Sequence, residues 1–275
     1  MRLDAHNHFW KYSPEEFAWI SDEMSYIRRD FLPEQLYAEQ IRYGWEGSIA
    51  VQAAQTVAET EFLLSLAGSE PNIRGVVGWL DLCAPDIGEQ LDVWAPHSRL
   101  VGLRHVVQGE PDDRFMLRKD FMQGISLLER HGLTYDILIY PRHLPVALEL
   151  VKQFPAQKFV IDHLAKPPIR AQEREPWARD LRAFKEQPHV FAKLSGLVTE
   201  ADWAAWRPDD FRFYLDTAFE VFGPQRLMIG SDWPVCLLAG TYSEVMGIVP
   251  AYVSQLSETE QAAVLGGTCA AFYAV

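Results

Sequence analysis

The chain has 275 residues, 48% apolar and 23% charged, enough for a sizeable buried core in a soluble globular protein. Its 25 basic and 38 acidic side chains leave a net charge of −13, which argues against a broad basic surface for nucleic acid or anionic lipid. The three cysteines, Cys83, Cys236 and Cys269, have no C-x-x-C spacing and leave one over, so a reducing compartment is expected rather than a disulfide framework.

The first strand candidate, "RLDAHNHF" at 2–9, begins so early that no signal segment is expected before it. "GSIAVQA" (47–53), "RGVVGWLDL" (74–82) and "LVGLRHVV" (100–107) follow. Then come "LTYDILIY" (133–140), "KFVIDHLA" (158–165), "VFAKLSG" (190–196) and "RLMIGSDW" (226–233). Most are continuous apolar runs, as parallel strands covered on both faces require. Amphipathic stretches separate them. "PEQLYAEQIRYG" (33–44) opens on Pro33 and stops at Gly44, and "RKDFMQGISLLERHG" (118–132) stops at Gly132.

Eight strand-helix units without a second zone of composition predict one (β/α)8 barrel domain over residues 1–275. An open doubly wound sheet is the rival, but no glycine-rich fingerprint follows the first strand. No apolar run reaches the ~18 residues of a membrane span, so a cytoplasmic protein with no membrane partner is expected. Two long connections, 10–32 and 196–210, leave from C-terminal strand ends and are candidate lids.

Strand alternation puts Asp4, His6 and His8 on one face and Leu3, Ala5 and Asn7 on the other. "KFVIDHLA" carries His163 near its end, with Asp162 on the opposite face, and "RLMIGSDWP" carries Asp232 just before Trp233 and Pro234. Each has a bland reading: core histidines bonded to carbonyls, an aspartate capping a turn. Three histidines and one aspartate, all at C-terminal strand ends, fit that bland reading poorly, because a buried carboxylate needs a partner or a task.

The set "DAHNHFW" (4–10), "WISDEMSYIRRDFLP" (19–33), "GLRHVVQ" (102–108), "IDHLAKPPI" (161–169), "KLSGL" (193–197) and "GSDWPV" (230–235) resembles the amidohydrolase superfamily. More narrowly it is similar to the amidohydrolase-2 branch that contains sugar-acid lactonases of the L-fuconolactonase and L-rhamnonolactonase type. The resemblance implies a (β/α)8 barrel with His6, His8, His163 and Asp232 in the active site, and the same four as ligands for at most one Zn²⁺. It also implies that the metal is not essential. A binuclear centre would need further ligands from strands 4 and 5, which here offer Arg104, His105 and Tyr140.

The chemistry expected is hydrolysis of a small sugar-acid lactone to its free acid, with no cofactor required. Asp232 is the candidate general base on water, and His6, His8 and His163 orient that water and donate to the carbonyl oxygen. Arg104 faces inward in the favoured register of strand 4 and His105 in the other. Lys193 either contacts substrate hydroxyls or pairs with Asp162; Asp162 and Asp4 either orient the histidines or form structural salt bridges. Tyr140, Arg142, Trp10 and Trp233 are the remaining candidates for substrate contact, the indoles because flat rings suit the C–H faces of a sugar. The alternatives are decarboxylation of an aromatic or unsaturated acid with one metal, and a dicarboxylate lactonase. The oligomeric state is not legible in the sequence.

Overall fold

The structure, a computed structural model, describes residues Met1–Val275. One sheet contains eight strands in sequence order, each parallel to its neighbours. These are β1 (Asp4–Asn7), β2 (Ser48–Val51), β3 (Ile73–Gly78), β4 (Leu100–His105), β5 (Thr134–Ile137), β6 (Phe159–Ile161), β7 (Val190–Leu194) and β8 (Leu227–Ile229). The sheet curls until its ends meet: Asn7 bridges Trp233, the Asp232 N–H donates to the His6 carbonyl at 2.8 Å, and the His8 N–H to the Trp233 carbonyl at 2.7 Å.

Helices α1 (Pro33–Tyr43), α2 (Val57–Ser69), α3 (Ile87–Trp94), α4 (Lys119–Leu128), α5 (Leu144–Gln153), α6 (Trp177–Arg182), α7 (Pro208–Phe222) and α8 (Tyr242–Val253) each follow their strand, and α9 (Glu258–Ala262) and α10 (Thr268–Tyr273) end the chain. No helix is long and apolar enough to cross a membrane. This is the (β/α)8 barrel read from the sequence.

The apolar core has two parts. A large cluster lies between strands and helices. A small one, including Ala5, Val51, Val77, Val160 and Met228, fills the barrel interior, where Cys269, Phe272 and Tyr273 of α10 close it.

Strand-face alternation fails in two informative places. The register of β1 against β2 slips between Asp4 and Asn7. Leu3 and Ala5 therefore face the interior, while Asp4 faces out and accepts from Ser231 (N–H at 2.8 Å, O–H at 2.6 Å). Beyond that slip His6 turns inward, so Asp4 does not share its face. Burial pushes the Asp4 carboxyl up to about 6.

The second place is the end of β6, which stops at Ile161 rather than continuing to 165. His163, Leu164, Ala165 and Lys166 all have left-handed backbone, with φ of 52°, 51°, 59° and 54°. Each costs an L-residue roughly 1–2 kcal/mol, and strain of this kind concentrates at functional sites. The turn brings Asp162 and His163 to the same centre instead of to opposite faces. Asp232, at φ 57°, likewise stands just past β8.

At the N-terminal turn of α2 the Glu59 carboxylate accepts the Ala53 N–H at 2.9 Å and the Ala54 N–H at 2.6 Å, pinning the chain as it leaves β2. Burial pushes this carboxyl up to about 7. A group that binds its proton more tightly when folded stabilises most below its unfolded value, near 4.5, and that stability is lost as pH rises through 7. Between pH 5 and 8 this residue should therefore withdraw about 2 kcal/mol. Urea unfolding of Glu59→Gln, which keeps an amide oxygen for the same N–H groups, should show a pH dependence flatter by that amount.

Candidate active site

Four side chains converge at the C-terminal mouth of the barrel. His6 Nε2 lies 3.2 Å from His8 Nε2, and His8 Nε2 lies 3.2 Å from Asp232 Oδ1. The same carboxylate oxygen is 3.8 Å from His6 Nε2 and 3.9 Å from His163 Nε2. Residues separated by more than 220 positions meet here because the β8–β1 closure runs directly beneath them.

Each ring is held from behind. His8 donates from Nδ1 to the Val51 carbonyl at 2.7 Å, which aims its Nε2 at the centre. His163 Nδ1 shares a hydrogen bond with Ser195 Oγ at 2.8 Å. His6 Nδ1 lies 3.1 Å from Lys193 Nζ and 3.4 Å from Asp162 Oδ1, and its Nε2 lies 3.3 Å from Arg104 Nη1.

Close packing makes this possible. A Cβ on Gly230 would come within 2.7 Å of His6 Cβ, and one on Gly196 (φ 64°) within 2.6 Å of His163 Nδ1. Only glycine permits either approach.

Burial disfavours a charged imidazole, and the Lys193 ammonium beside His6 adds to it against the pull of Asp162; the ring's proton affinity falls well below the usual histidine range. Burial lowers His163 to about 4. Burial works against ionised Asp232, yet the surrounding histidines, His163 foremost, outweigh it and hold the carboxyl below its ordinary range. Burial thus disfavours a charged ring at His6 and at His163, beside an ionised Asp232.

Beneath it runs a buried chain of charge. Arg104 donates to Asp162 at 2.9 Å and to the Gln52 carbonyl. Lys193 Nζ contacts Asp162 at 3.0 Å and Asp136 at 2.5 Å, and Tyr273 donates to Asp136 at 2.8 Å. Arg104 therefore occupies the inward register, while His105 packs outside against Phe115 and pairs with Glu110 at 2.6 Å.

Several expected substrate contacts stand elsewhere. Lys193 is completely buried with its ammonium shared between two aspartates, so it lies beneath the site, out of substrate's reach. Trp10 is completely buried too: its indole N–H donates to the Arg29 carbonyl at 2.8 Å, and its ring packs on Phe17 and Phe31. Trp233 is wedged edge-on against Phe9 and Phe31, and its backbone closes the barrel. Both indoles pack against the first long connection, and the Trp10 ring also stacks on His8, with ring centroids 6.3 Å apart.

Tyr140 and Arg142 do reach open space. They line a cavity of about 480 Å³ together with Lys166 and Glu200. Arg142 also donates to Asp113 at 2.9 Å.

Asp136 was not singled out in the sequence. Its signal was a carboxylate inside the apolar run "LTYDILIY", matched by a lone lysine in "VFAKLSG".

The donor set suits a divalent cation. His6, His8 and Asp232 present ligand atoms that all lie within 4.8 Å of one another, and carbonyl and hydroxyl partners fix the rings from behind, as metal-binding histidines require. His6, Asp162 and His163 form a second group of the same kind that shares His6 with the first, and the Arg104 guanidinium stands 3.3 Å from His6 Nε2.

Residues 3–275 match the protein family described as Amidohydrolase. The chain is 42% identical over 286 residues to the L-fucono-1,5-lactonase of Burkholderia multivorans, covering 100% of this chain and 96% of that protein. It is 34% identical over 281 residues to the L-fucono-1,5-lactonase of Burkholderia ambifaria, again covering 100% and 96%. An amidohydrolase from Burkholderia multivorans, crystallised with bound zinc, superposes with a TM-score of 0.94 at 42% identity, covering 100% of this chain and 99% of that one.

Proposed function

The chain belongs to the amidohydrolase family, and from that premise we propose that it is a lactonase opening an aldonolactone of the L-fucono type to the free sugar acid. The observation that carries this reading is the Asp232 carboxylate, set among the Nε2 atoms of three imidazoles beside Arg104 at the barrel mouth. Full-length similarity to two L-fucono-1,5-lactonases supports the substrate class.

In this mechanism Asp232 takes a proton from water, and the hydroxide adds to the lactone carbonyl. Charge building on the carbonyl oxygen is met by N–H donors from Arg104, His6 and His163, while His8 Nε2 accepts from the attacking water. Collapse of the tetrahedral intermediate breaks the ring C–O bond, and the departing alkoxide takes up the proton that Asp232 acquired. Base help of this kind contributes roughly 10²–10⁴-fold. A strained ester needs far less assistance than an amide, so carboxylate and hydrogen-bond donors suffice.

A divalent ion, held by His6, His8, His163 and Asp232, would add Lewis-acid polarisation or a more acidic bound water. We propose that it is not required. Enzyme dialysed against a chelator and shown by elemental analysis to hold less than one ion per ten chains should keep most of its rate on an aldonolactone, followed with a pH indicator. Loss of turnover in step with metal content would overturn the metal-independent mechanism. Carbon dioxide release from an aromatic acid, without acid release from any lactone, would overturn the lactonase reading itself.

A further inference from the structure

A cavity beside the turn that carries His163, lined by Tyr140, Arg142, Lys166 and Glu200 rather than by the four central residues themselves, carries charges that lactone opening leaves unused. Lys166 closes the left-handed turn after His163, Glu200 lies in the connection after β7, and their side chains meet with Nζ 3.9 Å from Oε1. That connection is a wall of the site itself, since its Gly196 backs onto the His163 ring. Burial raises the Glu200 carboxyl and Asp232 raises it further, while Lys166 lowers it, so both neighbours lie within electrostatic reach.

The other charges of the wall are largely matched. Arg142 pairs with Asp113 at 2.9 Å, and Asp180 with Arg179 at 2.8 Å. With Lys166 cancelled by Glu200, the remaining charges are Glu173 on the cavity wall and Asp232 at the centre. The mouth is acidic.

We propose that this acidic mouth sorts substrate from product by charge: it accepts a neutral lactone and expels the carboxylate that hydrolysis creates, with Glu200 setting the sign by neutralising Lys166. The inference rests on the lactonase reading. An aldonolactone is uncharged, whereas its hydrolysed form is a carboxylate at neutral pH, born within a few ångströms of ionised Asp232. Without Glu200, Lys166 would become an uncompensated cation on the cavity wall and would retain the product. One charge acting over several ångströms in a partly desolvated cleft is worth about tenfold in affinity.

The test measures KM for the lactone and the competitive Ki of its sodium aldonate at pH 8 in wild type, Glu200→Gln and Lys166→Met. The ratio Ki/KM should fall about tenfold in Glu200→Gln and rise in Lys166→Met, and added salt should shrink both differences. Ratios within twofold of one another across the three proteins would overturn the proposal. Citrate, as a tricarboxylate probe, should bind Glu200→Gln more tightly than wild type by calorimetry. If wild type opens no lactone the functional reading fails separately, and equal citrate affinities would then overturn the role of Glu200 as well.

Discussion

On the proposed mechanism, Asp232→Asn should lower kcat on an aldonolactone by about a thousandfold, the middle of the range for loss of a positioned general base. The substitution is nearly isosteric, and asparagine tolerates the left-handed backbone at φ 57° better than other residues. The Asp232 N–H that donates to the His6 carbonyl is retained, so the barrel should close as before. KM should change little, because a base acting on water contributes mainly in the transition state. Equal kcat in the two proteins would remove Asp232 from the chemistry. In wild type, kcat/KM should stay level from neutral pH down to about 5 and fall near pH 4, where His163, lowered to about 4 by burial, gains a proton. An acid limb near 6.5 would mean that the histidines titrate as if exposed.

Lys193→Met has the largest expected effect on stability. The ammonium is completely buried and touches Asp136 at 2.5 Å and Asp162 at 3.0 Å. Removing one partner of a buried ion pair while leaving the others costs about 3–5 kcal/mol, since the remaining carboxylates keep their desolvation penalty without their counterion. Asp162 retains Arg104 at 2.9 Å, whereas Asp136 retains only the Tyr273 hydroxyl. Adding Asp136→Asn to Lys193→Met should therefore recover a large part of the loss in urea unfolding. Additive penalties in that cycle would show that the two residues do not act as a pair. Activity separates support from packing: His6 also loses the cation beside Nδ1 and should take up a proton at higher pH, so the acid limb should move toward neutrality.

The strands and their order were legible because continuous apolar runs bounded by Gly and Pro leave few alternatives to parallel strands with helical crossovers. The four central residues were legible for a different reason. Buried imidazoles and carboxylates need partners, and only the C-terminal ends of the strands could supply them to one another. Side-chain direction was less visible. Strict alternation misassigned Asp4, because a slip in β1 registration is set by the neighbouring strand and leaves no mark in composition. It also separated Asp162 from His163, because four consecutive left-handed residues are not announced by glycine or asparagine. Trp10 and Trp233 looked like sugar platforms by residue type, but an indole in an aromatic-rich connection gains more from packing against Phe17 and Phe31 than from waiting at the surface.

The seam between the first and last strands runs through the reaction centre, so the backbone bonds that join His6 to Asp232 and Trp233 to His8 are also its spacers. An incompletely wound chain would keep all of these side chains yet hold base and imidazoles apart, and either half of the cylinder alone would carry only part of the set, His6, His8 and Arg104 in the first and His163 and Asp232 in the second. Turnover is then a direct gauge of ring closure. In a fragment-complementation experiment that divides the chain between β4 and β5, activity should return only when the two pieces dock along both of their free edges.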